Sequence, residues 1–147
     1  MSNNLNSISG RLSLRTPQRK SLEILHRVME IAQPHKNGDA SEALSVIRSE
    51  FSEVEDFEKS FPSVCFALAT GVGKTRLMGA FISYLYLEHG IRHFFVLAPN
   101  LTIYDKLITE FGSQVISPEL LARIEKLTVG AGRVQRLHRF LRRTIFF

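Results

Sequence analysis

Two glycines, a lysine and a threonine lie together in the order Ala69-Thr70-Gly71-Val72-Gly73-Lys74-Thr75. Glycine can adopt backbone conformations denied to other residues, and it lets the backbone approach an anion closely. Successive N–H groups at such a turn, with the N-terminus of a following helix, form a cradle for phosphate oxygens. Lys74 would reach the β- and γ-phosphates, and the Thr75 hydroxyl would bind a magnesium ion. The spacing therefore predicts binding of a nucleoside triphosphate.

The flanks of this loop support that interpretation. The phosphate-loop pattern is G-x-x-x-x-G-K-S/T. The match of this chain to that pattern is incomplete, because Leu68 takes the place of its first glycine. However, residues 64–68 form a short apolar run typical of a buried strand, and a helical pattern follows until Gly90, a suitable C-terminal stop. A strand before the loop and a helix after it are the context in which such a loop binds phosphate. The alternative is a glycine turn whose lysine only faces water.

The elements around the loop have a regular order. Residues 18–33 carry apolar positions at helical spacing, and Asp39 can cap a second helix. Beyond the loop helix, residues 93–98 are typical of a second buried strand and residues 101–111 of another helix. Strand, helix, strand, helix predicts a mostly parallel sheet with right-handed crossovers.

Length and composition bound the class of protein. The 147 residues make one domain, 44% hydrophobic and 22% charged, without an apolar run near the roughly 20 residues of a membrane helix. The polar first ten residues lack a signal core, so we expect a cytoplasmic protein without a membrane partner. A single cysteine, Cys65, rules out an internal disulfide and is expected to be a buried structural thiol. The five histidines show no metal-ligand spacing.

The net charge of +5 is unevenly distributed. Residues 1–37 carry six Lys/Arg against two Glu, and residues 38–60 carry seven acids against two bases. Residues 61–119 balance, whereas residues 120–147 carry seven bases against one acid. This basic tail could hold nucleic acid by neutralising phosphates. The alternative is a solvated face.

Two stretches carry a resemblance to a known family. A-T-G-V-G-K-T-R-L-M, at residues 69–78, and F-F-V-L-A-P-N-L-T-I-Y-D-K-L, at residues 94–107, are similar to the restriction (Res) subunit of type III restriction–modification enzymes. The loop also resembles motif I of the DEAD/DEAH-box superfamily two helicases. The resemblance implies an α/β fold, a RecA-like P-loop NTPase domain with a mostly parallel sheet, preceded by an α-helical N-terminal segment. It further implies an ATP-driven motor on duplex DNA.

The resemblance also implies the site residues and the ligands. ATP and Mg²⁺ would be bound by Thr70, Gly71, Val72, Gly73, Lys74, Thr75 and Arg76, although Arg76 could equally just solvate its helix. Leu14-Arg15-Thr16-Pro17-Gln18 resembles an upstream glutamine element, in which Gln18 would recognise adenine; the alternative is a polar residue in the first turn of a helix. Pro99, Asn100 and Thr102 occupy the place of motif Ia and would contact the DNA backbone, unless they only end a strand. A DNA-methylation subunit is the implied protein partner.

The same family needs an acidic D-E-x-H or D-E-A-D element and a second similar domain for hydrolysis. No Asp-Glu dipeptide occurs in this chain. We therefore expect binding of ATP or ADP with little turnover. The alternatives are a non-catalytic interaction protein that uses its basic tail, and a small phosphotransferase, for which no acceptor site or lid is visible.

These observations divide the chain into four parts. Residues 1–15 are expected to be a flexible lead-in, and residues 16–60 a helical segment. Residues 61–111 would be the core of the RecA-like domain, which we expect to be incomplete at its C-terminal side. Residues 112–147 would be a basic tail from a truncated or out-of-frame gene end, with Arg133, Arg136, Arg139 and Arg143 at helical spacing.

Overall fold

A computed structural model describes residues 2–33, 38–92, 94–95, 109, 124–125 and 145–146 of the chain. Within these residues there are four helices, α1 (Asn3–Arg11), α2 (Thr16–Ala32), α3 (Ala40–Glu50) and α4 (Lys74–His89). Three two-residue strands accompany them, β1 (Phe94–Phe95), β2 (Ile124–Glu125) and β3 (Ile145–Phe146). The strands pair in parallel in the order β2-β1-β3, with Phe94 opposite Ile124 and Ile145.

Local sequence signals account for the ends of the helices. Pro17 lies in the first turn of α2, where its missing N–H costs nothing. The Asp39 side chain caps α3 by accepting a 2.8 Å hydrogen bond from the Ser41 N–H. Gly90 ends α4 in the left-handed conformation, with φ of 64°. The predicted helix at residues 18–33, the cap at Asp39 and the stop at Gly90 are confirmed.

Helix α4 lies at the centre of the described structure. It packs against both α1 and α2, so its sides are covered by other elements. A helix that is buried around most of its circumference needs small and apolar residues on every face. Its buried residues have that composition: Leu77, Gly79, Ala80, Phe81, Ile82, Ser83, Tyr84 and Leu85. Leu5 of α1 and Leu22 of α2, both fully buried, complete this core.

A smaller apolar cluster attaches α3 to the outer face of α2. It is formed by Val28 of α2, Ala43 and Ile47 of α3, and Phe57 from the following loop. All four side chains are buried. The acidic stretch at residues 53–60 is thereby anchored as a loop rather than extending the helix.

The predicted α/β RecA-like fold is wrong, because the described structure is predominantly helical. Residues 62–69, which hold the expected first strand, form no strand. An apolar run predicts burial but not a hydrogen-bonded neighbour, and a strand needs that neighbour. Here Phe66 packs against Phe81 of α4, with ring centroids 4.8 Å apart, while Val64 is 42% exposed. The three strands among the described residues are two residues each and do not amount to such a sheet.

Two smaller expectations also differ from the structure. The expected flexible lead-in contains α1, because Leu5 and Ile8 are buried against α4 and the Ser2 side chain caps the helix. Cys65 is exposed rather than buried. The predicted helix at 101–111, apart from Thr109, and the basic tail, apart from the β2 and β3 residues, lie outside the described residues. In the described part of the chain, no helix combines the length and apolarity needed to cross a bilayer.

Candidate phosphate-binding loop

The loop before α4 depends on the conformations of its two glycines. Gly71 has φ of +81° and Gly73 has φ of +87°. L-residues with side chains rarely adopt these values, whereas glycine does so without steric cost. Gly73 is the N-cap of α4, so the second of these conformations turns the chain directly into the helix. The glycines predicted from the sequence are therefore required by the backbone.

The start of α4 offers backbone donors to a ligand. Its first backbone hydrogen bond runs from the Leu77 N–H to the Gly73 carbonyl, at 3.2 Å. The N–H groups of Lys74, Thr75 and Arg76 precede that bond and have no partner within the helix ladder. Among the described residues, no side chain caps this end, and its first turn contains no acid. An anion here would meet three backbone donors and the positive end of the helix dipole.

The side chains of the loop leave room above that backbone. Thr70, Lys74 and Arg76 are exposed, and Val72 and Thr75 are half-buried. A Cβ atom built on Gly71 would meet nothing within 4 Å. The loop thus combines free donors, two cations and open space, which is what a triphosphate with its magnesium ion requires.

Gln18 approaches the loop from the opposite side. Its Nε2 atom donates a 2.8 Å hydrogen bond to the Gly73 carbonyl, and its Oε1 atom accepts one of 2.8 Å from the Arg15 N–H. The side chain is only 2% exposed. Gln18 therefore links the start of α2 to the start of α4. The structure brings this predicted site residue to the loop, but it does so through the backbone of Gly73.

Other residues near the loop were not predicted, or cannot be placed. Arg15 is exposed. Its backbone N–H donates to the Gln18 side-chain amide, which in turn donates to the Gly73 carbonyl. The sequence includes Arg15 in the glutamine element but gives it no role of its own, because its position depends on the packing of α2 against α4. Pro99, Asn100 and Thr102, predicted to contact DNA, lie outside the described residues.

A second polar group joins α2 to the far end of α4. The Tyr84 hydroxyl lies 2.7 Å from Nδ1 of His26 and 3.0 Å from Nε2 of His89. Burial, then the negative charges of Glu88 and Glu30, raise the pKa of Tyr84 to about 12. Burial is also the main cause that lowers the pKa of His89. In the described residues, no three His, Cys, Asp or Glu side chains are grouped as a metal site would need.

The position of Glu88 ties α1 to this group. Its Oε2 atom accepts hydrogen bonds of 2.8 Å from the Ser2 hydroxyl and 2.7 Å from the Asn4 side-chain amide. These two bonds, first that of Asn4, lower the pKa of Glu88 because they stabilise its ionised form. The N-terminus of α1 is thereby held at the last turn of α4.

The described structure is thus predominantly helical, with a glycine loop and uncapped backbone donors at the start of its central helix. The family model described as type III restriction enzyme, res subunit, matches residues 11–136. The chain belongs to this family, which confirms the resemblance predicted from the sequence. The matched range includes the loop, Gln18 and the predicted DNA-contacting residues.

A second similarity covers a much shorter part of the chain. The cytoplasmic tryptophan--tRNA ligase of Mus musculus is 59% identical over 44 residues, which is 30% of this chain and 8% of that protein. The corresponding ligase of Dictyostelium discoideum is 57% identical over 44 residues, 30% of this chain and 10% of its own length. The chain spans a tenth or less of these relatives, so the similarity shows a shared segment and not a shared activity. No solved structure matches the chain.

Proposed function

We propose that this chain binds ATP with Mg²⁺ through residues 70–76. The family to which it belongs is one of helicase-like, ATP-dependent motors. The observation that carries the proposal is the left-handed Gly73 at the N-cap of α4, followed by three N–H groups without partners in the helix ladder and by the exposed Lys74. This combination of free donors and positive charge matches the phosphate chain of a nucleotide.

Each loop residue has a defined part in the proposal. Gly71 and Gly73 shape the backbone, and Thr70 and Val72 complete the turn between them. Lys74 would contact the β- and γ-phosphates, and Arg76, also exposed, would add a second positive charge. The Thr75 hydroxyl would be a ligand of the magnesium ion. The bound ion would neutralise the phosphate oxygens that these residues hold.

Binding with little turnover is the expected activity of this chain. The sequence contains no Asp-Glu dipeptide that could form the acidic element of the helicase families. Without this acidic element, the loop would bind and position the phosphates, and we expect little hydrolysis.

Family membership also favours DNA and a DNA-methylation subunit as partners. For DNA we propose backbone contacts from Pro99, Asn100 and Thr102, on the strength of the sequence similarity. The side chains of Asn100 and Thr102 are polar, and such side chains bind phosphate oxygens irrespective of base sequence. If Asn100→Ala with Thr102→Ala leaves retention of the chain on duplex DNA unchanged, this assignment is wrong. A tail deletion of residues 120–147 that abolishes retention would instead place DNA binding in the basic tail.

The nucleotide proposal is tested by titration with a fluorescent ATP analogue in the presence of Mg²⁺. We expect Lys74→Ala to weaken binding about tenfold to a hundredfold, the usual effect of losing one charge-assisted hydrogen bond. Lys59→Ala removes the same charge from an exposed position outside the loop and should leave the affinity unchanged. Equal affinities in the wild type and in Lys74→Ala would exclude the loop as the phosphate site.

A further inference from the structure

We propose that Gln18 is a positioning residue for the phosphate loop, and that it controls the affinity for the triphosphate group irrespective of the base. This inference rests on the proposed function, since it concerns the same loop. It differs from the role in adenine recognition that the sequence resemblance implies. Three features of the contact between Gln18 and Gly73 support it.

The first feature is that both ends of the Gln18 amide are already used within the protein. Nε2 donates to the Gly73 carbonyl and Oε1 accepts from the Arg15 N–H, each at 2.8 Å. Recognition of adenine by a glutamine uses the same two groups, one as donor and one as acceptor. With the side chain 2% exposed, a base would have to displace both bonds and move the start of α2.

The second feature is what the bond does to the peptide between Gly73 and Lys74. A trans peptide is planar, so its carbonyl and its N–H point in opposite directions. The Gly73 carbonyl points into α4, where it accepts hydrogen bonds from two donors, Gln18 Nε2 at 2.8 Å and the Leu77 N–H at 3.2 Å. The N–H of Lys74 therefore points the opposite way, out of the N-terminal end of α4. Gln18 in this way orients one of the donors proposed to hold phosphate.

The third feature is that Gln18 approaches Gly73 so closely that residue 73 has no room for a side chain. A Cβ atom on residue 73 would lie 2.6 Å from Gln18 Nε2, whereas a Cβ atom on Gly71 would meet nothing within 4 Å. The two glycines have similar positive φ values, so the close approach is what distinguishes them. The loop is thus built around the buried amide at this point.

The test compares three competitors of the fluorescent ATP analogue: ATP, GTP and inorganic tripolyphosphate, which has no base. Gln18→Met keeps an unbranched side chain of similar length but removes the amide. If Gln18 positions the loop, the affinity of Gln18→Met for each of the three competitors should fall by a similar factor of about three to ten. This factor is the net effect of losing one neutral hydrogen bond. If ATP alone weakens, Gln18 reads adenine and the inference is overturned. Unchanged binding of all three also overturns it.

A second variant keeps the inference testable if Gln18→Met folds poorly. In Gln18→Glu the carboxyl group can donate to the Gly73 carbonyl only when it is protonated. Burial at this position should raise the pKa of the introduced carboxyl group above its usual range, because the site is only 2% exposed. The tripolyphosphate affinity of the variant should therefore recover toward the wild-type value on going from about pH 7.5 to about pH 5, relative to the wild-type profile over the same range. A pH profile parallel to that of the wild type would contradict a positioning role.

Lys74→Ala separates this inference from the proposed function. If that variant binds tripolyphosphate as well as the wild type does, the loop is not the phosphate site and both proposals fail. If Lys74→Ala weakens binding while Gln18→Met affects ATP alone or nothing, only the positioning role fails.

Discussion

The hydroxyl oxygen of Tyr84 lies 2.7 Å from Nδ1 of His26, and this contact joins the middle of α2 to the later turns of α4. On its other side the same hydroxyl lies 3.0 Å from Nε2 of His89. Tyr84 is fully buried, so its hydroxyl depends on these partners. The hydroxyl has one proton and can donate to only one imidazole, so the other imidazole must donate to it. The tautomers of the two histidines are therefore coupled through Tyr84.

Tyr84→Phe should lower the free energy of unfolding by about 1–3 kcal/mol, because it leaves partly buried imidazole nitrogens without their partner. Urea unfolding followed by circular dichroism measures this change. Tyr86→Phe is the matched control: Tyr86 is half-buried, and no hydrogen bond of its hydroxyl is found among the described residues. If Tyr84→Phe lowers the free energy of unfolding no more than Tyr86→Phe does, the Tyr84 hydroxyl contributes nothing to stability.

The stability of the chain should fall as the pH drops below the ordinary histidine range. Burial, the largest cause, lowers the pKa of His89 from 6.5, and the nearby His26 lowers it further against the opposing charges of Glu88 and Glu30. Below about pH 6.5 the unfolded chain then binds more protons at this residue than the folded chain does. The contribution of His89 to the free energy of unfolding is therefore complete above about pH 6.5. It is lost as the pH falls toward the lower pKa that His89 has in the folded chain.

The check is urea unfolding at about pH 7.5 and about pH 5.5 for the wild type and His89→Gln. We expect the variant to lose less stability between these two values. The Glu88 carboxylate does not change the comparison between about pH 7.5 and about pH 5.5, because its pKa is lowered from 4.5. Its contribution to stability is lost only below that value. The same fall in the wild type and in the variant would contradict the assignment to His89.

Gly73→Ala should destabilise the chain more than Gly71→Ala does. Both substitutions place alanine at a positive φ, which costs about 1–2 kcal/mol. Gly73→Ala in addition brings its Cβ to 2.6 Å from Gln18 Nε2, and that buried side chain is held at both ends of its amide. Thermal unfolding of both variants measures the difference. Adding Gln18→Ala to Gly73→Ala should reduce this difference, and equal losses in the two single variants would contradict the close approach.

Ser9→Ala should stabilise the chain, whereas Ser21→Ala should destabilise it. Both serines are 6% exposed and lie on helices. No hydrogen-bond partner of the Ser9 hydroxyl is found among the described residues, but the Ser21 hydroxyl donates to the Pro17 carbonyl at 2.9 Å. Removing an unpaired buried hydroxyl should gain about 1 kcal/mol, and removing a paired one should cost a similar amount. Urea unfolding of the two variants gives the sign of each change in the free energy of unfolding. A loss of stability in Ser9→Ala would show that the Ser9 hydroxyl is paired.

Much of the local structure could be predicted from the sequence. Helical spacing predicted α2, and the glycine spacing predicted the turn at Gly71 and Gly73. The expected strand at residues 64–68 was wrong, because an apolar run is equally satisfied by packing against a helix, as Phe66 is against Phe81. Helix α1 was likewise not predicted, because the first residues are mostly polar. Its few apolar residues are nevertheless enough to cover one side of α4.

The sequence by itself determined the features that depend on neighbouring residues: the positive φ of the loop glycines, the cap at Asp39 and the stop at Gly90. These follow from backbone sterics and short-range hydrogen bonds. Only the tertiary structure decided that Gln18 reaches Gly73, 55 positions away, and that His26 reaches Tyr84, 58 positions away. Such contacts depend on how α2 packs against α4, and that packing is a property of the whole core, so no local pattern in the sequence specifies it.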